Sequence, residues 1–209
     1  TPQQKIQKTK MFGGLQVEVR LIGDYFDKTL SAAQQYCVEE GAHFLSPFDD
    51  EDVIEGQASV AVEIEEQLGR VPDHILLPVG GGGLSSGVYS YFQNECRYSF
   101  VEPEGAPSLA KALAAGAPVD VSPINSFVDG AAVAKIGQRN FSRLDRVAES
   151  EVIHLAEDRI CVTIIEMLNV EGIVLEPAGA LSIEALGEVA DQIKGKTVVC
   201  VASGGNFDF

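Results

Sequence analysis

The chain has 209 residues, of which 45% are hydrophobic and 22% charged, so it has the make-up of a globular protein of one domain or two small ones. Its formal charge of −16 argues against nucleic acid and anionic membranes as partners. A small anion stays open, because backbone N–H groups bind phosphate without a neighbouring Lys or Arg.

In chain order, Val17, Val19 and Leu21 alternate with Glu18 and Arg20, which predicts a half-buried strand. Phe26, Leu30, Ala33 and Cys37 follow helical spacing, and Gly41 ends that helix. FDDEDVIEGQASVAVEIEEQLG predicts a long helix with an apolar stripe of Ile54, Ala58, Ala61, Ile64 and Leu68. Asp49 and Asp50 are expected to cap it, a reading preferred over a metal site in the acidic run Asp49–Asp52. HILLPVG, IVLEP and TVVCVAS are nearly continuous in apolar residues, as strands covered on both faces must be. YSFVEP is a fourth candidate strand. LAKALAAG, and AAVAKIGQRNFSRL after Gly130, are expected helices between them. Alternating strands and helices imply an α/β fold: an open twisted, mostly parallel sheet with helices on both faces and right-handed crossovers. Strand character changes near Pro47, so residues 1–48 are assigned to a smaller lobe and residues 49–209 to a larger one.

Cys37, Cys96, Cys161 and Cys200 form no CxxC or CxxH pair, so neither a zinc site nor a disulfide framework is expected. Cys200, inside TVVCVAS, is expected to be a small core residue. The pattern suits a reducing, cytoplasmic compartment, and no apolar run reaches membrane length. His43, His74 and His154 stand apart, so structural or exposed roles are expected of them.

The stretch ILLPVGGGGLSSG joins an apolar strand to a helix through four glycines, Gly80 to Gly83. Without Cβ atoms, successive N–H groups can close on an anion, and the helix starting near Leu84 adds its dipole. A phosphate group is the expected ligand. The Lys-Ser/Thr ending of a nucleotide P-loop is absent, and the GxGxxG pattern fails because Ser86 stands where its third glycine belongs. VASGGNF forms a second glycine-rich turn after the last strand. Strand C-termini of a parallel sheet share one edge, so Ser203 is expected to face the crevice that the glycine loop faces.

These segments carry a resemblance. TPQQKIQKTKMFGG, PFDDEDVIEGQ, PVGGGGLSSGV, FVDGAAVAKIG, EPAGALS and VASGGNF run in the order of the threonine dehydratase (threonine ammonia-lyase) family. Its fold type is shared with serine dehydratase, serine racemase and the β subunit of tryptophan synthase. PFDD, FVDGAAV and the closing SGGN resemble the biosynthetic branch. The resemblance implies the two-lobed fold type II of pyridoxal-phosphate enzymes, incomplete here at the N-terminus. It implies that Gly80, Gly81, Gly82, Gly83 and Leu84 hold the cofactor phosphate, that Ser203 hydrogen-bonds the pyridine nitrogen, and that Glu176 lies near the ring. Glu102 and Ala106 match two positions of a monovalent or divalent cation site in related enzymes. Ser108 departs from the acid usual at the third position in serine racemase, which weakens that site, since hard cations favour carboxylate oxygen.

The family carries its Schiff-base lysine in a Ser-Phe-Lys motif, and a ring-binding asparagine in a Gly-Asn-His-Ala motif, both ahead of the segment TPQQK. No lysine here has that context: Lys5, Lys8 and Lys10 fall on a polar helix, and Lys135 is expected on a helix after FVDGAAV. The chain is therefore expected to be a fragment of a longer polypeptide, inactive alone, with its Schiff-base lysine upstream and no catalytic residue of its own. For the parent, the resemblance implies conversion of L-threonine, and of L-serine, to a 2-oxo acid and ammonia. L-Threonine would give 2-oxobutanoate, a step of isoleucine biosynthesis, in a dimer or tetramer. The alternatives are a serine racemase, a catabolic serine/threonine dehydratase, or a non-catalytic pyridoxal-phosphate-binding module.

Overall fold

The computed structural model describes residues 3–23 and 26–206, so Thr1, Pro2 and Phe207 of the motifs above lie outside the described residues. The chain folds as two compact units that part between Ser46 and Pro47.

The first unit contains α1 (Gln3–Gly13) and α2 (Phe26–Glu40), with Gly41 in the left-handed conformation just beyond α2. Val17–Leu21 is not a strand. Its backbone is extended at Val17 (φ −123°, ψ 127°), yet no described residue pairs with it, and Val17 and Leu21 are exposed. Alternation sets which way side chains point, but a strand also needs a neighbour for its N–H and C=O groups. Arg20 instead pairs with Glu18 at 2.8 Å and lies 4.4 Å from the Tyr36 ring centroid.

The second unit is a four-stranded parallel sheet in the order β3-β2-β1-β4. Its strands are β1 (His74–Pro78), β2 (Arg97–Pro103), β3 (Val152–Leu155) and β4 (Val198–Cys200). The intervening helices are α3 (Glu51–Leu68), α4 (Gly83–Phe92), α5 (Ser108–Ala115), α6 (Gln138–Leu144), α7 (Glu157–Glu166), α8 (Pro177–Glu184) and α9 (Leu186–Val189). A π-helical turn, Met167–Glu171, extends α7. Strand alternation sorts the core into two layers. Ile75, Leu77, Tyr98 and Phe100 pack with Ala61 of α3, Val88 and Phe92 of α4, and Leu144 of α6. Leu76 and Val101 face the other way, onto Ile160 of α7, Leu181 of α8 and Val189 of α9. Each fully buried Leu, Ile or Phe contributes on the order of 1.5–3 kcal/mol. The predicted parallel α/β architecture with helices on both faces is thus present.

Three elements differ from expectation. Ile173–Glu176 is an irregular extended segment, not a strand: Ile173 and Val174 are exposed, and Glu176 N–H donates to the Gly204 carbonyl at 3.0 Å without a ladder. The third strand is instead Val152–Leu155, which is short, with His154 in its middle, and too weakly apolar to be legible. The helix expected from Ala131 starts only at Gln138. Residues 131–137 wrap the glycine loop, with Gly137 N–H on the Gly81 carbonyl at 3.1 Å, so tertiary packing overrides helical spacing there. Lys135 accordingly lies in this irregular segment and pairs with Asp120 at 3.1 Å.

Asp50 caps α3, accepting from Asp52 N–H at 3.0 Å, whereas Asp49 turns to α6 and accepts from Gln138 and Arg139 N–H at 3.1 and 2.8 Å. Gly69, left-handed with φ 67°, closes α3. The four cysteines are free thiols, and burial pushes the Cys200 thiol up to about 11. Among the described residues no helix is long and apolar enough to cross a membrane.

Candidate active site

A cleft of about 350 Å³ opens at the C-terminal edge of the sheet. Gly80, Gly81, Gly82, Gly83 and Leu84 form one wall, and Glu176 and Ser203 line it with Phe48, Gly130, Ala131 and Ala178. Chain positions more than a hundred residues apart meet there because all four strands run the same way.

Three carbonyls of the glycine loop, those of Gly80, Gly81 and Gly82, are tied down. Gly80 O accepts from Ser108 Oγ at 2.8 Å, Gly81 O from Asn140 Nδ2 at 2.8 Å and Gly137 N at 3.1 Å, and Gly82 O from Ser86 N at 2.8 Å. Gly83 O, within α4, lies 3.2 Å from Ser86 Oγ, whose one proton goes to Asn140 Oδ1 at 2.7 Å. A trans peptide unit is planar, with its N–H opposite its C=O. Anchoring these three carbonyls therefore orients the N–H groups of Gly81, Gly82 and Gly83 away from the anchors, and Leu84 N–H belongs to the first turn of α4. Among the described residues none of these four N–H groups has an acceptor, and they open the N-terminus of α4. Such a row of free donors at the positive end of a ten-residue helix is an anion cradle.

Glycine is required by space and by backbone. A Cβ on Gly81 would stand 2.3–2.5 Å from the Phe48 ring, and one on Gly80 2.8 Å from the Ala131 backbone. Gly82 has φ 91°, which side chains rarely adopt. These residues fit a phosphate group: donors without acceptors, no carboxylate in the loop, and a floor closed to side chains.

Ser203 follows β4, is exposed, and its hydroxyl has no partner among the described residues, so it can donate or accept. Glu176 is the N-cap of α8, with Pro177 as the first helical residue. Its Oε2 accepts from Asn206 N–H at 3.2 Å, and its Oε1 would stand 2.4 Å from a Cβ on Gly204. The carboxylate is thus wedged against the SGGN turn that presents Ser203. Gly130 closes the same wall, a Cβ there falling 3.1 Å from Glu176 Oε1.

Glu102, at the end of β2, is fully buried. Its carboxyl accepts from Leu109 N–H at 2.6 Å and Ala110 N–H at 3.0 Å, and Ser108 Oγ lies at 3.2 Å. Burial pushes the carboxyl up to about 7, against the opposing pull of these hydrogen bonds. Glu102 therefore serves the N-terminus of α5, while Ser108, the residue that departs from the acidic pattern, reaches the Gly80 carbonyl. Ala106 is buried beside them. Among the described residues no cluster of three His, Cys, Asp or Glu could hold a metal. His43 is exposed, His74 is buried with Nε2 2.9 Å from Ser99 Oγ, and His154 Nε2 lies 3.8 Å from Glu102. Among the described residues no lysine lines the cleft.

Two contributors are not legible in the sequence. Phe48 lies in the PFDD motif, but its ring has no polar signature. Asn140 lies in QRNFSRL, where nothing distinguishes it from a surface asparagine.

The sequence matches the family described as pyridoxal-phosphate dependent enzyme over residues 1–204. The chain is 44% identical over 211 residues to the biosynthetic L-threonine dehydratase IlvA of Bacillus subtilis, a match that takes in 100% of this chain and 50% of the relative. It thus spans about half the length of the curated relatives it matches. The processed form of threonine deaminase isoform 2 from Solanum lycopersicum superposes with a TM-score of 0.90 at 33% identity, covering 100% of this chain and 61% of that one. Maize serine racemase superposes at 0.87 with 25% identity, covering 100% and 65%. A cradle that fits phosphate, on a sheet edge where Ser203 also lies, is in keeping with that match, and the chain belongs to the family of pyridoxal-phosphate dependent enzymes.

Proposed function

We propose that this cleft binds pyridoxal phosphate and that the whole protein uses it to convert L-threonine, and L-serine, to a 2-oxo acid and ammonia. One observation carries the binding half: four consecutive N–H groups, at Gly81 to Leu84, without acceptors among the described residues, three of them set opposite anchored carbonyls. They would hold the phosphate, with the α4 dipole adding to the attraction. Ser203 would hydrogen-bond the pyridine nitrogen, and Glu176 would keep the serine-bearing turn in place beside the ring. When bound, the cofactor supplies an electron-accepting ring that stabilises negative charge at the substrate Cα. The amine that captures it and moves the Cα proton is read as coming from outside this chain, since among the described residues no lysine lines the cleft. The threonine half is supported by relatives named L-threonine dehydratase. A soluble cytoplasmic oligomer fits the free thiols and the biosynthetic naming of those relatives.

Titrating the chain with pyridoxal phosphate and with phosphate-free pyridoxal tests the cradle: the phosphorylated form should bind at least about tenfold tighter, and equal affinity sinks the reading. Incubating the whole protein with L-threonine and cofactor tests the reaction. Release of 2-oxobutanoate is expected. D-Serine from L-serine without 2-oxo acid would favour the racemase reading, which the likeness to maize serine racemase supports. Binding with neither product would leave a non-catalytic module.

A further inference from the structure

Asn140 is the buried hub behind the glycine loop. It is 0% exposed, the third residue of α6, and every hydrogen-bonding group of its side chain is engaged. Nδ2 donates to the Phe48 carbonyl and to the Gly81 carbonyl, both at 2.8 Å, and Oδ1 accepts from Ser86 Oγ at 2.7 Å. The network assigns the amide orientation: reversing it would set Oδ1 against two carbonyl oxygens. Three separate chain segments thus converge on one side chain: the turn carrying Phe48, the glycine loop, and the first turn of α4.

We infer that Asn140 is a positioning residue for phosphate, acting through the peptide unit between Gly81 and Gly82. That unit is planar, so drawing the Gly81 carbonyl towards Asn140 aims the Gly82 N–H the opposite way. Gly82 itself has φ 91° and no Cβ, so its own conformational preference fixes this direction only weakly. Gly137 N–H shares the Gly81 carbonyl at 3.1 Å, and Asp49 holds the start of α6 through Gln138 and Arg139 N–H. The helix that carries Asn140 is therefore anchored at the point from which Asn140 reaches the loop. The same amide binds the Phe48 carbonyl while the Phe48 ring covers Gly81, so the loop is held on two sides by one buried side chain and the turn it anchors. Preorganised donors bind an anion more strongly than donors that must first reorient.

The inference rests on the reading of the cleft as a phosphate cradle, and the test separates the two. Asn140→Leu keeps the side chain's shape and neutrality but removes both donors. The readout is the affinity for pyridoxal phosphate divided by that for pyridoxal. In Asn140→Leu this ratio should fall about tenfold, with affinity for pyridoxal itself unchanged, because only the phosphate reports on the Gly82 N–H. A general loss of packing would lower both affinities together and leave the ratio as it was, which would overturn the role of Asn140. A wild-type chain with no preference for the phosphorylated form would overturn the cradle itself. If Asn140→Leu does not fold, NMR of the wild-type chain titrated with inorganic phosphate carries the test. The Asn140 side-chain amide signals should shift together with the Gly82 N–H, and a Gly82 shift with Asn140 unmoved would refute the coupling.

Discussion

Among single residues, the glycines of this chain divide by what surrounds them. A Cβ added at position 81 would stand 2.3–2.5 Å from the Phe48 ring, so an added methyl must push the ring or the loop. Gly81→Ala is expected to destabilise the chain by about 1–3 kcal/mol, seen in urea unfolding, and to erase the preference for phosphorylated ligand. Gly56, inside α3, has nothing within 4 Å of its Cβ position. Gly56→Ala should stabilise by about 1 kcal/mol, since alanine gives up less backbone freedom in a helix; a lower midpoint would contradict this account. His74 responds to pH. Its burial, with Lys196 and Arg97 nearby, depresses its affinity for a proton below the ordinary value of 6.5. The unfolded chain then takes up the proton first as pH falls, so stability is full above about 6.5 and declines below it. Urea midpoints at pH 7.5 and 5.5 should differ more for wild type than for His74→Gln, and equal differences would refute it.

Among the elements, the ends of helices do much of the positioning. The two α6 amides that Asp49 caps lie far away in sequence, so Asp49→Ala should cost about 0.5–2 kcal/mol in chemical denaturation, the range of a lost cap. Since α6 also carries Asn140, the loss should extend to phosphate-dependent binding. Glu102 similarly serves α5, whose first residue, Ser108, meets the Gly80 carbonyl. The elements whose sequence pattern misleads are those set by such long-range contacts. The run 131–137 has helical spacing but folds around glycines fifty residues earlier, and Ile173–Glu176 has strand composition but no ladder partner among the described residues. Elements that carry their own signals are legible: α3 by its stripe and caps, β1 and β4 by continuous apolar runs, α5 by LAKALAAG and Gly116.

In the molecule as a whole, the cleft brings together the glycine-loop N–H groups, the Ser203 hydroxyl and the Glu176 carboxylate, but no lysine among the described residues. The purified chain is expected to bind pyridoxal phosphate and yet release no 2-oxo acid from L-threonine; turnover by this chain alone would contradict the assignment of the amine to another segment. The amino-acid sequence suffices for the α/β class and for the family, because periodicity and short motifs are local patterns. It does not say which way the loop's N–H groups point. That direction is set in the folded chain by partners of the opposite carbonyls, Ser108 and Asn140, which lie 28 and 59 residues away from the glycines they hold. Glycine permits many conformations, and packing from distant segments selects one.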